Sequence, residues 1–216
     1  MTATADPQTI PGSTAVRSWR WVAAGLVIAA VGGLLAGGLT SFGQTVLPDP
    51  LRPFANSAGG WSMIAFALVW LGRARPLLAA VLGIVAFEAL VEGYALVSLW
   101  RGYFYEAPFS GIFSLIGLVC GPVLGVAASL ARHGSARWAT LGVTPLVAVL
   151  WGEAVYALIN VAEHTGATYW LIQAGLGVLF LVIAVLRRRP RPLVAVLAAA
   201  VSAAGAGVFV VLYSLL

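Results

Sequence analysis

Seven apolar runs constrain this chain more than any other feature. They cover residues 21–40, 61–72, 77–100, 111–131, 138–162, 169–186 and 193–215. At about 1.5 Å of rise per helical residue, about 20 residues cross about 30 Å of hydrocarbon. Six runs have that reach, whereas 61–72 either starts before Trp61 or spans only part of the membrane. Turn-forming residues separate the runs: Pro48, Pro50 and Pro53, then Arg75-Pro76, Ala107-Pro108, His133-Gly134, Thr165-Gly166 and Pro190 to Pro192. Only 9% of the 216 residues are charged and 61% are hydrophobic, against about 25% charged in an ordinary soluble domain. So few charges cannot cover a water-soluble surface, which excludes a soluble globular enzyme, a disordered chain and a nucleic-acid-binding module. The sequence predicts an all-α integral membrane bundle of seven transmembrane helices. A polar cytoplasmic tail at 1–20 precedes a single membrane domain at 21–216, with an outer segment at 41–60.

Arginine placement supplies an orientation. All 12 basic residues are Arg. With the N-terminus inside, the inner segments hold Arg17, Arg20, Arg73, Arg75, Arg132, Arg137, Arg187, Arg188, Arg189 and Arg191, and the outer ones only Arg52 and Arg101. This positive-inside alternation predicts an N-in, C-out protein of the cell (plasma) membrane. It also accounts for a net charge of +5 without a nucleic-acid partner. The lone Cys120 leaves no internal disulfide. The Gly33–Gly37 and Gly121–Gly125 pairs have the spacing of close helix packing, and the fragments around them have a faint look of an internal repeat.

Candidate chemistry centres on acids inside the spans. Glu88, Glu92 and Glu153 are ionisable groups in hydrocarbon, which are costly there and mark a functional hypothesis. Glu88 and Glu92, four residues apart, share a helix face. Glu92 lies 15 residues beyond Leu77 and Glu153 lies 15 beyond Trp138, so each is about 22 Å along its helix and the two are expected to be level. With no Arg inside any span, at least one of the three is expected to keep its proton near neutral pH. Asn56, Asn160 and Gln173, with Gln44 and His164, gather toward the same outer end. Trp61 and Trp100 lie there too, as members of an interfacial aromatic belt or as site walls, while Tyr94, Trp151 and Tyr156 lie deeper. The 41–60 segment reads either as a lid folded over the outer mouth or as an ordinary interfacial connector. HExxH, GxxxxGK[ST], GxSxG and DDxxD patterns are absent from the sequence, so no metal and no cofactor are expected.

The strings LTSFGQ…RPFANSAGGW, EGY, GPVLG and WGEAVYAL…YWLIQ resemble a family of small, multi-spanning, mostly uncharacterised actinobacterial membrane proteins. The layout is also similar to that of integral-membrane terpene cyclases of meroterpenoid and indole-terpenoid pathways. That second resemblance implies intramembrane carboxyls as proton donors, matched here to Glu92 and Glu153.

Two functions follow as expectations. In the first, a lipophilic prenylated substrate, such as an indole with a farnesyl chain, enters from the membrane lipid. Glu92 or Glu153, with Glu88 nearby, protonates an alkene or epoxide, and Tyr94, Trp100, Trp151 and Tyr156 stabilise the carbocation. In the second, the polar residues Asn56, Asn160, Gln173 and Glu153 bind a small molecule from the outer side, as vitamin-capturing membrane subunits do, with proton coupling through Glu88 or Glu92 as a variant.

Overall fold

Every apolar run becomes helical. The computed structural model describes residues 12–105 and 107–215, so residues 1–11 of the expected tail lie outside the described residues. The order is α1 (Gly12–Val46), a 3-10 helix (Asp49–Asn56), α2 (Ala58–Gly72), α3 (Pro76–Trp100), α4 (Ile112–His133), α5 (Ala136–Leu141), α6 (Thr144–Asn160), α7 (Ala162–Thr165), α8 (Thr168–Arg188) and α9 (Pro192–Tyr213). No strand occurs among the described residues. Helix α1, α3, α4, the α5–α6 pair, α8 and α9 are each long and apolar enough to cross a membrane. A seventh crossing exists if the 3-10 helix and α2 are taken together across their 59° bend. The chain is thus an all-helical, multi-spanning membrane bundle.

The element boundaries differ from the sequence expectation in three places. Helix α1 already begins at Gly12, within the expected tail, and continues to Val46, so only the later part of 41–60 leaves the helix. There Pro48, Pro50 and Pro53, lacking backbone N–H groups, cannot extend an α-helix, and the chain turns through the 3-10 helix instead. The 138–162 run is two helices, broken between Leu141 and Thr144. Helix α2 has 15 residues, about 22 Å of rise, and stops short of a full crossing.

Glycines set the packing of the first half. Gly33 and Gly37 of α1 lie against the α3 backbone at Ala86 and Leu90, and Gly121 and Gly125 of α4 lie against α3 at Gly83 and Ala79. A Cβ at Gly37 or Gly125 would collide with a carbonyl oxygen of α3, so both Gly-x-x-x-Gly pairs permit backbone contact with one helix, at successive heights along it. The core between these helices and α6 contains the fully buried Leu82, Leu90, Leu146 and Leu150. Helix α9 is peripheral and packs mainly on α6, where Gly152 faces Ala206 and Phe209.

The two ends of the bundle differ in charge. Arg73, Arg75, Arg132, Arg137 and Arg187 to Arg191 cluster where α2 meets α3, α4 meets α5 and α8 meets α9. Side chains join these connections: Arg132 donates to the Trp70 carbonyl at 3.0 Å, and Arg188 to the carbonyls of Ala131 and Arg132 at 2.7 and 2.9 Å. The opposite end holds the 3-10 helix, Arg52 and Arg101. There Arg101 donates to the Ser41 carbonyl and hydroxyl and to Thr45, tying α3 to the end of α1.

Candidate functional site

The string SAGGW at residues 57–61 builds the start of α2 and, with it, the site. Ser57 is the N-cap, its hydroxyl accepting from the Gly60 N–H at 2.9 Å. The next free amides point at Glu153, which α6 brings across the bundle. Ala58 N donates to Glu153 Oε1 at 2.7 Å and Gly59 N to Oε2 at 2.6 Å. Gln173 of α8 completes the set, its Nε2 donating to Oε2 at 3.0 Å and to the Leu150 carbonyl at 3.1 Å. All three contacts of this carboxyl are therefore with N–H donors, at the positive end of a helix dipole. Glu153 is 3% exposed and Gln173 fully buried.

Small residues make this approach possible. A Cβ at Gly59 would fall 2.7 Å from the Gln173 amide atoms, and one at Gly60 would fall 2.6 Å from the Phe54 carbonyl oxygen. The Ser57 hydroxyl also meets the Tyr169 hydroxyl at 2.6 Å, and Trp61 Nε1 donates to the Ala55 carbonyl at 3.2 Å. The 3-10 helix, α2, α6 and α8 are thus locked around one buried carboxyl.

Above this carboxyl lies a cavity of about 640 Å³ between the 3-10 helix and helices α6 to α9. Its walls include Asn56, Asp49 and Arg52 from the 3-10 helix, Gln44 from α1, Glu153 and Tyr156 from α6, His164 and Thr165 from α7, Trp170 from α8 and Tyr213 from α9. Asp49 and Arg52 form an ion pair with each other. Tyr156 and Tyr213 stack edge to face at 4.9 Å. Trp170 Nε1 is held by Thr165 at 3.0 Å. The wall thus carries a partnered carboxyl, a paired Asp and Arg, amides, an imidazole and aromatic rings.

The residues singled out from sequence separate into groups. Glu153, Tyr156 and Asn56 come together at this cavity, and Gln173 joins through Glu153. Glu92 does not line it; its Oε1 accepts from Phe109 N at 2.8 Å, bracing the α3–α4 connection where Phe109 takes a φ of 57°. Glu88 does not line it either. Its carboxyl sits against Gly117 of α4, and both oxygens are buried without a hydrogen-bond partner, as is the nearby Ser114 hydroxyl. Tyr94 donates to Gln44 at 3.1 Å and packs on Trp61 at 5.6 Å, between α1, α2 and α3. Trp151 donates to the Ala174 carbonyl at 3.1 Å and fills the space over Gly177. Asn160 is exposed and donates back to the Tyr156 carbonyl at 2.8 Å. Trp100 is 77% exposed and contacts Phe42. Tyr213 and Trp170 were not singled out as site residues, although both lie at helix ends facing the 41–60 segment. Among the described residues no group of three or more His, Cys, Asp or Glu is placed to hold a metal ion.

None of the curated proteins and none of the solved structures compared with the chain matches it. The family of unknown function DUF6518 matches residues 16–216, nearly the whole chain, and the protein belongs to that family.

Proposed function

We propose that this protein captures a small, hydrogen-bonding molecule in the cavity under the 3-10 helix. The observation that carries the reading is the cavity itself. Its volume lies within the range of small-molecule sites, about 300–1,000 Å³, and its walls pair aromatic faces with Asn56, Gln44, Tyr156 and His164. The arginine distribution supports an N-in, C-out orientation in the plasma membrane, in which the cavity opens outward. Glu153 is then the foundation of the site: it fixes the lid-bearing end of α2 and presents the cavity with an already partnered carboxyl.

Terpene cyclisation is the weaker reading. It needs an acid free to donate a proton to the guest and a second acid or a carbonyl to receive the final one. Two acids reach the cavity and both are engaged: Glu153 makes three contacts, all with donors, and Asp49 is paired with Arg52. Glu92 and the aromatic residues Tyr94, Trp100 and Trp151 belong to other parts of the bundle.

Native mass spectrometry of protein purified in mild detergent tests the proposal. The expected result is a retained non-lipid molecule, held about tenfold or more weakly after Tyr156→Ala or Asn56→Ala. Equal retention in both variants, or no retained molecule in the wild type, overturns the capture reading. A prenylated indole incubated with the same preparation is expected back unchanged. A cyclised product that disappears in Glu153→Gln would restore the cyclase.

A further inference from the structure

The arginine-rich end carries a second concavity, unrelated to the cavity described above. It measures about 290 Å³ and opens between α2, the α5–α6 junction and α8. Met63, Phe66 and Trp70 form one wall and Phe180 and Ile183 the other, with Arg187 and Arg188 at the mouth. Both walls run toward the same end: Met63 to Trp70 and Phe180 to Arg187 are each seven helical steps, about 10 Å of helix axis. The depression is therefore a furrow along the membrane normal, apolar in its length and cationic at its outlet.

Among the described residues the charge at the outlet has no acidic counterpart. The one ion pair among the described residues is Asp49–Arg52, at the opposite end. The acids Glu88, Glu92, Glu153 and Glu163 lie within spans or toward the opposite end. Arg188 is held by two carbonyls and Arg132 lies over the Trp70 ring at 4.1 Å, so both guanidiniums are positioned without being neutralised. Arg187 is exposed and makes no hydrogen bond or ion pair. A ligand with an anionic head and a hydrocarbon chain matches both features.

We propose that this furrow is a binding site for an anionic phospholipid, with one acyl chain along Met63, Phe66 and Phe180 and the phosphate on Arg187 and Arg188. Basic pockets between transmembrane helices suit phospholipid headgroups because the chain and the charge are satisfied together at the membrane surface. Arg187 recognises the headgroup, and Ala67, exposed within the furrow, marks the path of the chain. The site is independent of the capture reading.

The test uses the full chain in neutral detergent, titrated with phosphatidylglycerol, with phosphatidylcholine of the same chains, and with glycerol phosphate alone. Bound lipid is counted by native mass spectrometry. Wild type is expected to retain phosphatidylglycerol over phosphatidylcholine and to ignore glycerol phosphate. Arg187→Gln, at an exposed position, is expected to lower that preference about fivefold. Ala67→Trp is expected to reduce retention of both lipids by filling the furrow. Equal retention of the two lipids by wild type overturns the proposal, as does glycerol phosphate binding as well as the lipid. Unchanged lipid selectivity in Arg187→Gln also overturns it, and this arm stands even if Ala67→Trp does not fold.

Discussion

Glu153 and Glu88 are the same residue type, both within membrane-crossing helices, and their surroundings are opposite. Glu153 receives two backbone amides and a side-chain amide. Glu88 presents two buried oxygens to Gly117 and receives no backbone amide; its polar neighbour is the Ser114 hydroxyl. The first is built into the architecture, because an interrupted helix would otherwise leave its first amides unpaired in the bilayer. The second lies between α3 and α4, whose approach is already set by glycines. A polar group inside a membrane protein thus carries structural weight only when other groups depend on it.

This contrast is open to measurement. The largest effect is expected for Glu153→Ala, which strands the Ala58 and Gly59 amides and the Gln173 side chain. Each buried donor left without a partner costs about 1–3 kcal/mol, which thermal unfolding in detergent would register as a large fall in Tm or as failure to recover folded protein. Gly59→Ala should cost about 1–3 kcal/mol in the same assay, because its Cβ would displace the Gln173 amide. Tyr169→Phe removes the hydroxyl that meets Ser57 at 2.6 Å and is expected to cost about 1 kcal/mol. Glu88→Met should be the mildest. It replaces unpartnered oxygens with an unbranched apolar chain, so stability is expected to stay level or rise, since apolar replacement of buried charged groups is often neutral or favourable. Were Glu88→Met as damaging as Glu153→Ala, the distinction between the two carboxyls would collapse.

The helices were legible because hydrocarbon thickness writes itself into run length, and the connections because Pro, Gly and Arg cluster there. The break in the 138–162 run was not legible: Gly142 and Pro145 interrupt it, but the surrounding residues are as apolar as a continuous span. At the site, Glu153, Gln173, Tyr156 and Asn56 could be singled out as polar or aromatic groups toward one end. The partners of Glu153 could not, because backbone amides leave no mark in a sequence except through what surrounds them. Ser57 followed by Ala58, Gly59 and Gly60 was that mark: an N-cap beside residues too small to shield the amides. The expected level placement of Glu92 and Glu153 rests on helix rise, which is interrupted between Leu141 and Thr144 on the Glu153 side and does not fix rotation. Glu92 turns to the α3–α4 connection, while Glu153 turns to α2.

The shortness of α2 bears on how the protein is made. Its first amides are satisfied by a residue 95 positions later in the chain. During synthesis α2 therefore emerges before its stopper, and the 3-10 helix beside it cannot settle until α6 has been threaded into the bilayer. Maturation of this end of the molecule must wait for nearly three-quarters of the polypeptide, and a ribosome halted before Glu153 would leave an unfinished plug rather than a smaller working bundle.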